Sequence, residues 1–247
     1  EPSAPYKMVV AVSPSILRVS LVMAAHAALF HAPTHSCAPM VRSRAASLQL
    51  SAAVLETCAE PAIRIGHGYD IHRMATREEA GQPVIISGVK FDGSDAPDFD
   101  LGCVAHSDGD VVYHSVVDAI LGALTMPDIG QLFPDNDPRL RGADSEIFME
   151  EAYLRMVGRG YRIGNVDVTL ICQKPRVNVE HEGAQVKTLM MQNLARLLRC
   201  DGTRVNVKAR THEKVDSVGE CRALECHVVL VLERDPTAAP HPAVAEV

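Results

Sequence analysis

The chain has 247 residues, 47% of them hydrophobic, which is enough for one ordinary domain with extensions and an aliphatic core. Its formal net charge is -7, and it contains no basic block or basic–aromatic pattern, which argues against a nucleic-acid partner. Its seven cysteines include no C-x-x-C pair, which argues against a cysteine zinc site and an iron–sulfur cluster, and their odd number and scattered spacing argue against a disulfide framework.

Residues 1–61 differ in composition from the rest of the chain. Acidic side chains are absent between Pro2 and Leu55, and an apolar stretch at 13–30 ends near a small-x-small motif, Ala25-His26-Ala27. A Ser-, Ala-, Pro- and Arg-rich segment follows, so the pattern is typical of a signal-like segment joined to a transit-like one. The alternatives are a disordered tail or a short membrane anchor, although the apolar stretch is too short and interrupted to span comfortably. We therefore predict a disordered targeting leader at 1–61 and no membrane association of the mature form.

The remaining chain mixes helical and extended patterns without a steady βαβ rhythm. This predicts one α+β domain at 62–234, with a mixed β-sheet and helices packed on one face, and a disordered Pro/Ala-rich tail at 235–247. Ser107 or Asp108 is the predicted cap of the first helix, and Ser145 that of the second. Extended segments are predicted at 62–69, 84–91 (two short strands around Ser87-Gly88), 161–172, 205–209 and 224–232, and helices at 108–125, 144–159 and 180–198.

The segment Asp70-Ile71-His72 places a carboxylate and an imidazole two residues apart. If the segment is extended, both side chains point to one face. Taken alone, such a pair is more often a surface pair or a capped turn than half of a zinc site. A second polar pattern lies in the first predicted helix, where Asp110, His114 and Asp118 follow i, i+4, i+8 spacing and form one stripe.

The two patterns together predict a zinc site. Asp70, His72 and His114 would supply one oxygen and two nitrogen ligands, and three protein ligands with an open fourth position are typical of catalytic zinc. Asp118 or Asp110 would then orient an imidazole by hydrogen bonding. Whether the two segments meet depends on the tertiary fold.

Two further segments allow either a structural or a functional interpretation. The acidic segment 128–137 is either a loop of Asx turns or a set of carboxylates that hold sugar hydroxyls. The segment Thr211-His212-Glu213-Lys214 follows a predicted strand and is either an exposed charged turn or a ligand site. In the second case Thr211 donates a hydrogen bond to a phosphate, and Glu213 holds a hard cation such as Mg²⁺.

Five motifs occur in the order Arg64–His72 (RIGHGYDIH), Ala105–Val111 (AHSDGDV), Asp128–Asp137 (DIGQLFPDND), Gly142–Ser145 (GADS) and Gly164–Val168 (GNVDV). This set resembles the family of 2-C-methyl-D-erythritol 2,4-cyclodiphosphate synthases, over about 63–233. The resemblance implies a lyase that converts 4-diphosphocytidyl-2-C-methyl-D-erythritol 2-phosphate to 2-C-methyl-D-erythritol 2,4-cyclodiphosphate and releases CMP, in the non-mevalonate pathway to isoprenoid precursors.

The resemblance also implies cofactors and an assembly. One Zn²⁺ per subunit is held by Asp70, His72 and His114, and Glu213 holds an Mg²⁺ or Mn²⁺ ion that accompanies the substrate. The 2-phosphate of the substrate attacks its own β-phosphorus with the help of these metals. The family forms homotrimers whose active sites lie at subunit interfaces.

The residues that act on the substrate are likewise implied by the resemblance. His106 and Thr211 are catalytic, Asp135 binds the methylerythritol part, and a loop at 172–178 holds the cytosine of a neighbouring subunit's substrate. The implied substrate contacts are Asp70, Ile71, His72, His106, Ser107, Asp128, Ile129, Gly130, Phe133, Pro134, Asp135, Asn136, Asp137, Cys172, Gln173, Lys174, Pro175, Arg176, Val177, Asn178, Arg210, Thr211, His212 and Glu213.

The segment Thr211–Glu220 departs from the bacterial pattern. Arg210 and His212 stand where bacterial members often have Thr, and Val215–Glu220 replaces a Gly/Phe/Arg-rich stretch near the trimer axis. This THEKVDS-x-GE version is similar to plastid-type members, which agrees with the leader and predicts a location in the plastid stroma. Two rival functions are a zinc phosphohydrolase that uses water as its nucleophile and a non-catalytic nucleotide-binding module.

Overall fold

The computed structural model describes residues 60–238. The predicted leader lies outside these residues except for Glu60 and Pro61, and so does the tail from 239 onward. Within the described range, no helix combines the length and the apolar character needed to cross a membrane.

A five-stranded mixed sheet forms the centre of the fold, in the order β4-β1-β9-β5-β8. Neighbouring strands are antiparallel except for β5 and β8, which are parallel. The strands are β1 (Ile63–Thr76), β2 (Ile85–Ile86), β3 (Val89–Lys90), β4 (Leu101–Val104), β5 (Tyr161–Ile171), β6 (Glu180–His181), β7 (Ala184–Gln185), β8 (Val205–Arg210) and β9 (Ala223–Arg234), with β2/β3 and β6/β7 as small separate ribbons. This confirms the predicted α+β class with a mixed sheet.

The helices pack on one face of that sheet. They are α1 (Arg77–Ala80), α2 (Val111–Ala123), α3 (Ile129–Leu132), α4 (Glu146–Gly158) and α5 (Val186–Leu197), with short 3₁₀ turns at Pro138–Leu140 and Gly202–Arg204. Helix α2 lies across β1 and β9, α4 contacts α2 and β5, and α5 contacts β8. On the opposite face, Ile63, Ile65 and Val229 are 61%, 70% and 47% exposed. This second face of the sheet, called the open face below, is uncovered within residues 60–238.

Two glycines of β1 allow α2 to approach the sheet closely. A Cβ atom on Gly66 would lie 1.8 Å from the carbonyl oxygen of Ala119, and one on Gly68 would lie 1.8 Å from that of Ser115. Any larger residue at either position would therefore push the helix away. The close approach brings the first turns of α2 beside the second half of β1.

Several predicted boundaries differ from the structure. The helix predicted at 180–198 begins at Val186, because residues 180–185 form the β6/β7 hairpin with Gly183 at φ +82°. The strand β4 was not predicted; it is short and pairs only with the end of β1. Conversely, the strand predicted at 62–69 continues to Thr76, so the Asp70-Ile71-His72 segment is extended as expected.

The predicted helix caps also need correction. Neither Ser107 nor Asp108 caps α2; the Asp110 carboxylate does, accepting hydrogen bonds from the backbone N–H groups of Val112 and Tyr113. Ser145 occupies the N-cap position of α4, but its side chain makes no capping hydrogen bond. Its hydroxyl instead donates to Asp108 and lies beside His114.

Candidate metal centre

Asp70, His72 and His114 come together at the point where α2 crosses β1. Asp70 and His72 are even-numbered residues of β1, on the face that α2 covers, whereas odd-numbered neighbours such as Ile71 point to the open face. His114 lies in the first turn of α2. Because Gly66 and Gly68 let the helix backbone approach, the His114 ring reaches Asp70.

The potential ligand atoms of these three residues lie within 4.8 Å of one another. Asp70 Oδ2 is 3.1 Å from His114 Nδ1 and 3.3 Å from His72 Nε2. The two imidazole rings stand nearly perpendicular, with their centroids 5.2 Å apart. A carboxylate oxygen and two imidazole nitrogens at such spacing suit one zinc-sized cation.

His72 directs an unprotonated ring nitrogen, Nε2, toward the place where the three side chains converge. Its Nδ1 donates a hydrogen bond to the Ile71 carbonyl oxygen over 3.1 Å, so the lone pair is on Nε2. That Nε2 atom is buried and, despite its proximity to Asp70 Oδ2, makes no hydrogen bond. Burial lowers the pKa of His72 below its usual value, against the opposing effect of the Asp70 charge. A buried, neutral and unpartnered imidazole nitrogen beside a carboxylate fits a metal ligand.

The two aspartates predicted to orient an imidazole have other partners. Asp110 is fully buried and accepts hydrogen bonds from four backbone N–H groups, those of Ser87, Gly88, Val112 and Tyr113. Burial nevertheless raises its pKa to about 7. Asp118 Oδ1 accepts from the Ile129 N–H and so anchors α3. Within the described range neither carboxylate hydrogen-bonds to His72 or His114, so the prediction for Asp110 and Asp118 was wrong.

Two serines contact His114 instead. Ser145 Oγ lies 2.9 Å and Ser107 Oγ lies 3.2 Å from its Nε2 atom. Ser107 was predicted as a substrate contact or a helix cap, whereas Ser145 and its partner Asp108 were predicted only as helix caps. Only their position within the AHSDGDV and GADS motifs hinted at a role in the site.

A cavity of about 270 Å³ opens directly beside the metal centre, and we call it the metal cavity. Several predicted substrate contacts line it together with three residues that were not predicted, Ala105, Leu140 and Phe148. The lining is His72, Ala105, His106, Ser107, His114, Ile129, Gly130, Phe133, Asp135, Leu140 and Phe148. The lining combines imidazole, hydroxyl and carboxylate groups with apolar side chains.

Other predicted contacts lie at the rim or away from this cavity. The exposed Asp128 caps α3 through the Gln131 N–H, and hydrogen bonds from Gln131 lower its pKa. Asp137 binds Arg139, which lowers the pKa of Asp137 to about 2. Ile71, Asp128, Pro134, Asn136 and Asp137 are not among the lining residues. The segment 128–137 therefore combines Asx-type turns with residues that face the cavity.

A second cavity of about 510 Å³ lies at the ends of the parallel strands β5 and β8, and we call it the loop cavity. It brings together the whole predicted 172–178 loop with Arg210, Thr211 and Glu213, and adds Ala209. Thr211 Oγ1 donates a hydrogen bond to Glu213 over 3.0 Å. His212 does not line this cavity; its Nδ1 lies 2.7 Å from the Asp216 carboxylate.

The two cavities are separate within one chain. In the register of the sheet, Ile71 lies opposite Glu225, Glu225 opposite Ile171, and Ile171 opposite Arg210. The strands β1 and β8 are thus three spacings apart, or roughly 14 Å at about 4.8 Å each. The structure therefore does not bring Arg210, Thr211 and Glu213 together with the metal centre of the same chain.

The chain is similar to a known protein family and to members of it over most of its length. The model of the YgbB family matches residues 63–233. The chain is 45% identical over 237 residues to a chloroplastic 2-C-methyl-D-erythritol 2,4-cyclodiphosphate synthase of Oryza sativa subsp. japonica, covering 86% of this chain and 100% of the relative. A synthase of the same name from Proteus mirabilis is 44% identical over 173 residues, covering 70% and 98%.

Solved structures with similar names also match most of the chain. The chain superposes on a CDP complex of IspF from Plasmodium falciparum with a TM-score of 0.58 and 36% identity, covering 71% of this chain and 99% of that one. A 2C-methyl-D-erythritol-2,4-cyclodiphosphate synthase in a CDP-bound form matches with a TM-score of 0.58 and 30% identity, covering 69% and 100%.

Proposed function

The chain belongs to the YgbB family, and on that premise we propose how its two cavities form the active site of a 2-C-methyl-D-erythritol 2,4-cyclodiphosphate synthase. The protein is a lyase of isoprenoid biosynthesis. It converts 4-diphosphocytidyl-2-C-methyl-D-erythritol 2-phosphate to 2-C-methyl-D-erythritol 2,4-cyclodiphosphate and releases CMP. The observation that carries the proposed site is the convergence of Asp70, His72 and His114 on one point.

The reaction requires two anionic groups of one molecule to meet. An oxygen of the 2-phosphate forms a bond to the β-phosphorus, and the bond between that phosphorus and the α–β bridging oxygen breaks. The bonding electrons leave with CMP. Because the second pKa of a phosphate is about 6, the nucleophile is ionised near neutral pH and needs no strong base. The protein must therefore supply charge neutralisation and alignment.

The proposed metal residues are Asp70, His72 and His114 for Zn²⁺, and Glu213 for Mg²⁺ or Mn²⁺. When bound, such cations act as Lewis acids that neutralise charge on the α- and β-phosphates. The loop cavity keeps Glu213 beside Thr211, whose hydroxyl donates to the Glu213 carboxylate. A cation held by Glu213 would replace this hydrogen bond and leave the Thr211 hydroxyl to donate to a phosphate. The proposed role of Thr211 is to stabilise the transition state.

The metal cavity holds the methylerythritol part in the proposed arrangement. Its wall carries Asp135, whose carboxylate suits the hydroxyl groups, and His106 and Ser107, which reach the phosphates. Ile129 and Gly130 also line this cavity. Alignment of nucleophile and phosphorus in this way can lower the barrier by roughly 7–11 kcal/mol in a well-oriented intramolecular reaction.

The loop cavity holds the cytidine part, through the 172–178 loop. Its openings at the ends of β5 and β8 are lined by backbone and by polar side chains such as Gln173 and Asn178. These groups suit the donor and acceptor edge of a cytosine ring. The CDP-bound relatives support a nucleotide ligand for this chain.

The proposed assembly is a homotrimer, in which the metal cavity of one subunit meets the loop cavity of another. Two observations support it. The strands β1 and β8, beside which the two cavities lie, are roughly 14 Å apart within one chain, and the open face carries exposed Ile63, Ile65, Tyr69, Ile71 and Val229. An apolar sheet face of this kind is typical of a surface covered by another copy of the chain.

The proposed location is the plastid stroma. Three relatives with 45–47% identity are chloroplastic enzymes, which supports a plastid location. The acid-free composition between Pro2 and Leu55 supports a targeting leader at 1–61.

Phosphorus NMR of the products tests the proposed function. We expect purified protein with Zn²⁺ and Mg²⁺ to convert the CDP substrate to a cyclic diphosphate and CMP in equal amounts. A zinc phosphohydrolase would instead release inorganic phosphate or a linear product, and a nucleotide-binding module would leave the substrate intact. Either result would overturn the assignment.

A further inference from the structure

The His114 ring has two nitrogens, and the one turned away from Asp70 contacts the buried Ser145, which in turn hydrogen-bonds to the half-buried Asp108. We propose that Asp108 and Ser145 form a positioning pair that fixes the His114 tautomer and ring orientation, so that Nδ1 presents its lone pair to the cation. This inference rests on the proposed metal centre. It gives a role to two residues that neither bind the metal nor line the metal cavity.

The pair connects two loops that are distant in the sequence. Ser145 Oγ lies 2.5 Å from Asp108 Oδ1, and the Ser145 N–H donates to Asp108 Oδ2 over 3.1 Å. The Asp110 N–H also donates to Asp108 Oδ1, over 3.2 Å. Two backbone hydrogen bonds hold the same loops together, from the Asp108 N–H to the Ala143 carbonyl and from the Gly142 N–H to the His106 carbonyl. The position of Ser145 is therefore fixed from several sides.

The direction of these hydrogen bonds determines where the imidazole proton lies. Both oxygens of Asp108 already accept from backbone N–H groups, so its carboxylate is the acceptor and the Ser145 hydroxyl is the donor. With its hydrogen used in this way, Ser145 Oγ offers only lone pairs to His114 Nε2, 2.9 Å away. Nε2 must then carry a proton. Nδ1 lies 3.1 Å from Asp70 Oδ2, which can only accept, so Nδ1 presents its lone pair when a cation rather than a proton lies between them.

Ser107 cannot provide the same selection. Its Oγ accepts from the Gly109 N–H and lies 3.2 Å from the same Nε2 atom. Within residues 60–238 no other group accepts its hydroxyl hydrogen, so Ser107 is able to donate to Nε2 as well as to accept from it. A hydroxyl of this kind tolerates either tautomer. If Ser145 is removed, Ser107 is free to stabilise the tautomer whose Nδ1 proton blocks the metal.

The geometry also argues against a purely structural role for Ser145. Its side chain is completely buried at the N-cap position of α4, yet it caps nothing. The hydroxyl is directed to Asp108 and His114 instead. His72 also has an oxygen acceptor at its remote ring nitrogen, but that acceptor is a backbone group: Nδ1 donates to the Ile71 carbonyl oxygen. Each imidazole thus has an oxygen acceptor at its remote nitrogen, as in other histidine metal sites.

Zinc affinity of the full-length protein without substrate tests the inference, measured by competition with a chromophoric chelator. We expect Ser145→Ala and Asp108→Asn each to weaken Zn²⁺ binding by about 10- to 100-fold, the usual effect of losing an outer hydrogen-bond partner. Because the two residues act through one nitrogen, the double variant should lose little more than the weaker-binding single variant. Ser115→Ala is the matched control: it removes another buried hydroxyl, on the residue next to His114, and should leave affinity unchanged.

A spectroscopic measurement makes the test specific for the tautomer. In zinc-loaded protein with ¹⁵N-labelled histidine, long-range ¹H–¹⁵N spectra should show His114 protonated on Nε2 and bound through Nδ1, and Ser145→Ala should lower the population of this form at a given zinc concentration. Zinc bound through Nε2 of His114 in the unaltered protein would overturn the inference, as would a Ser145→Ala affinity within twofold of the parent. Should Asp108→Asn fail to fold, the comparison of Ser145→Ala with Ser115→Ala decides alone. If His114→Ala also keeps full affinity, the metal centre itself is wrong.

Discussion

At the residue scale, the proposed chemistry depends on atoms that lack ordinary hydrogen-bond partners. His72 Nε2 is buried without one, and the carboxylate of Asp70 stands within 3.3 Å of two imidazole nitrogens. Three such groups close together repel one another unless a cation or protons lie between them. The site is therefore more stable with a metal than without, and single substitutions should reveal it.

Replacing Asp70 by Asn preserves its shape and removes its charge. We expect Asp70→Asn to abolish turnover and to lose bound zinc, while the thermal midpoint of the metal-free protein changes by no more than a few degrees. Metal analysis, activity and circular dichroism measure the three quantities. Asp201→Asn, an exposed change of the same kind just before β8, should alter none of them. Full activity in a verified metal-free Asp70→Asn protein would contradict the zinc site.

Glu213 is expected to matter for the second cation only. Glu213→Gln should raise the Mg²⁺ concentration that gives a half-maximal rate by at least roughly 10-fold, without loss of zinc. Even the loss of a hydrogen-bond partner of a metal ligand has an effect of about this size on metal affinity. A magnesium titration of the steady-state rate measures this. Glu220→Gln changes an exposed carboxylate of the same loop, paired with Arg222, and serves as control. An unchanged titration for Glu213→Gln would remove its assigned role.

The buried cysteines provide a test of the packing around the site. Burial raises the pKa of Cys103 and of Cys172 to about 12. Alkylation requires the thiolate, so its rate rises with pH, but in the folded protein these two thiols stay almost fully protonated at pH 8. Iodoacetamide labelling at pH 8, followed by mass spectrometry, should modify both slowly in the native protein and rapidly in urea. Equal rates in both conditions would show that the thiols are not buried.

At the element scale, the close contact of α2 with β1 positions the metal centre. Gly66 and Gly68 have no side chain to separate the two elements, and His114 lies one residue before Ser115, whose carbonyl oxygen contacts Gly68. The RIGHGYDIH motif thus encodes a packing requirement and two ligands in the same strand. A shift of the helix would separate His114 from Asp70.

Gly68→Ala should separate these elements. The added Cβ would meet the Ser115 carbonyl oxygen at 1.8 Å, so we expect a loss of about 3 kcal/mol of stability, at the upper end of overpacking effects, together with weaker zinc binding. Urea unfolding and chelator competition measure both. Gly122→Ala lies on the exposed side of α2 with room for a methyl group, and should stabilise by up to about 1 kcal/mol. A Gly68→Ala protein as stable as the parent would show that the contact is not tight.

At the scale of the whole molecule, one chain carries two half-sites on a sheet with one covered face. The metal cavity is beside β1 and the loop cavity is at the ends of β5 and β8. Leaving the apolar open face in water is unfavourable, because burying apolar surface lowers the free energy by about 25 cal/mol per Å². A trimer that covers it also brings the half-sites of different chains together.

Ile65→Asp tests this assembly. A charge in the middle of the open face should shift the protein from trimer to monomer at micromolar concentration, because burying an unpaired carboxylate is costly. Light scattering after size exclusion measures the mass, and we expect activity to fall with it. Leu154→Asp, at a similarly exposed apolar position on α4, should remain trimeric. A fully trimeric Ile65→Asp protein would place the interface elsewhere.

The sequence by itself determined the fold class, the positions of the long elements and the three proposed ligands. These depend on local information: the alternation in β1, the helical spacing around His114, and motifs in a specific order. It failed where a residue had competing local uses. Asp110 was predicted to orient an imidazole, whereas the structure uses its carboxylate to cap α2 and to accept two N–H groups from the Ser87–Gly88 turn.

Only the tertiary structure decided which distant side chains meet. Asp108 and Ser145 are 37 positions apart, and no periodicity connects them, yet Ser145 hydrogen-bonds to Asp108 and contacts His114. The separation of the two cavities was likewise set by strand order, because β9 and β5 lie between β1 and β8. Strand order and loop contacts arise from long-range packing, which local patterns of polarity do not encode.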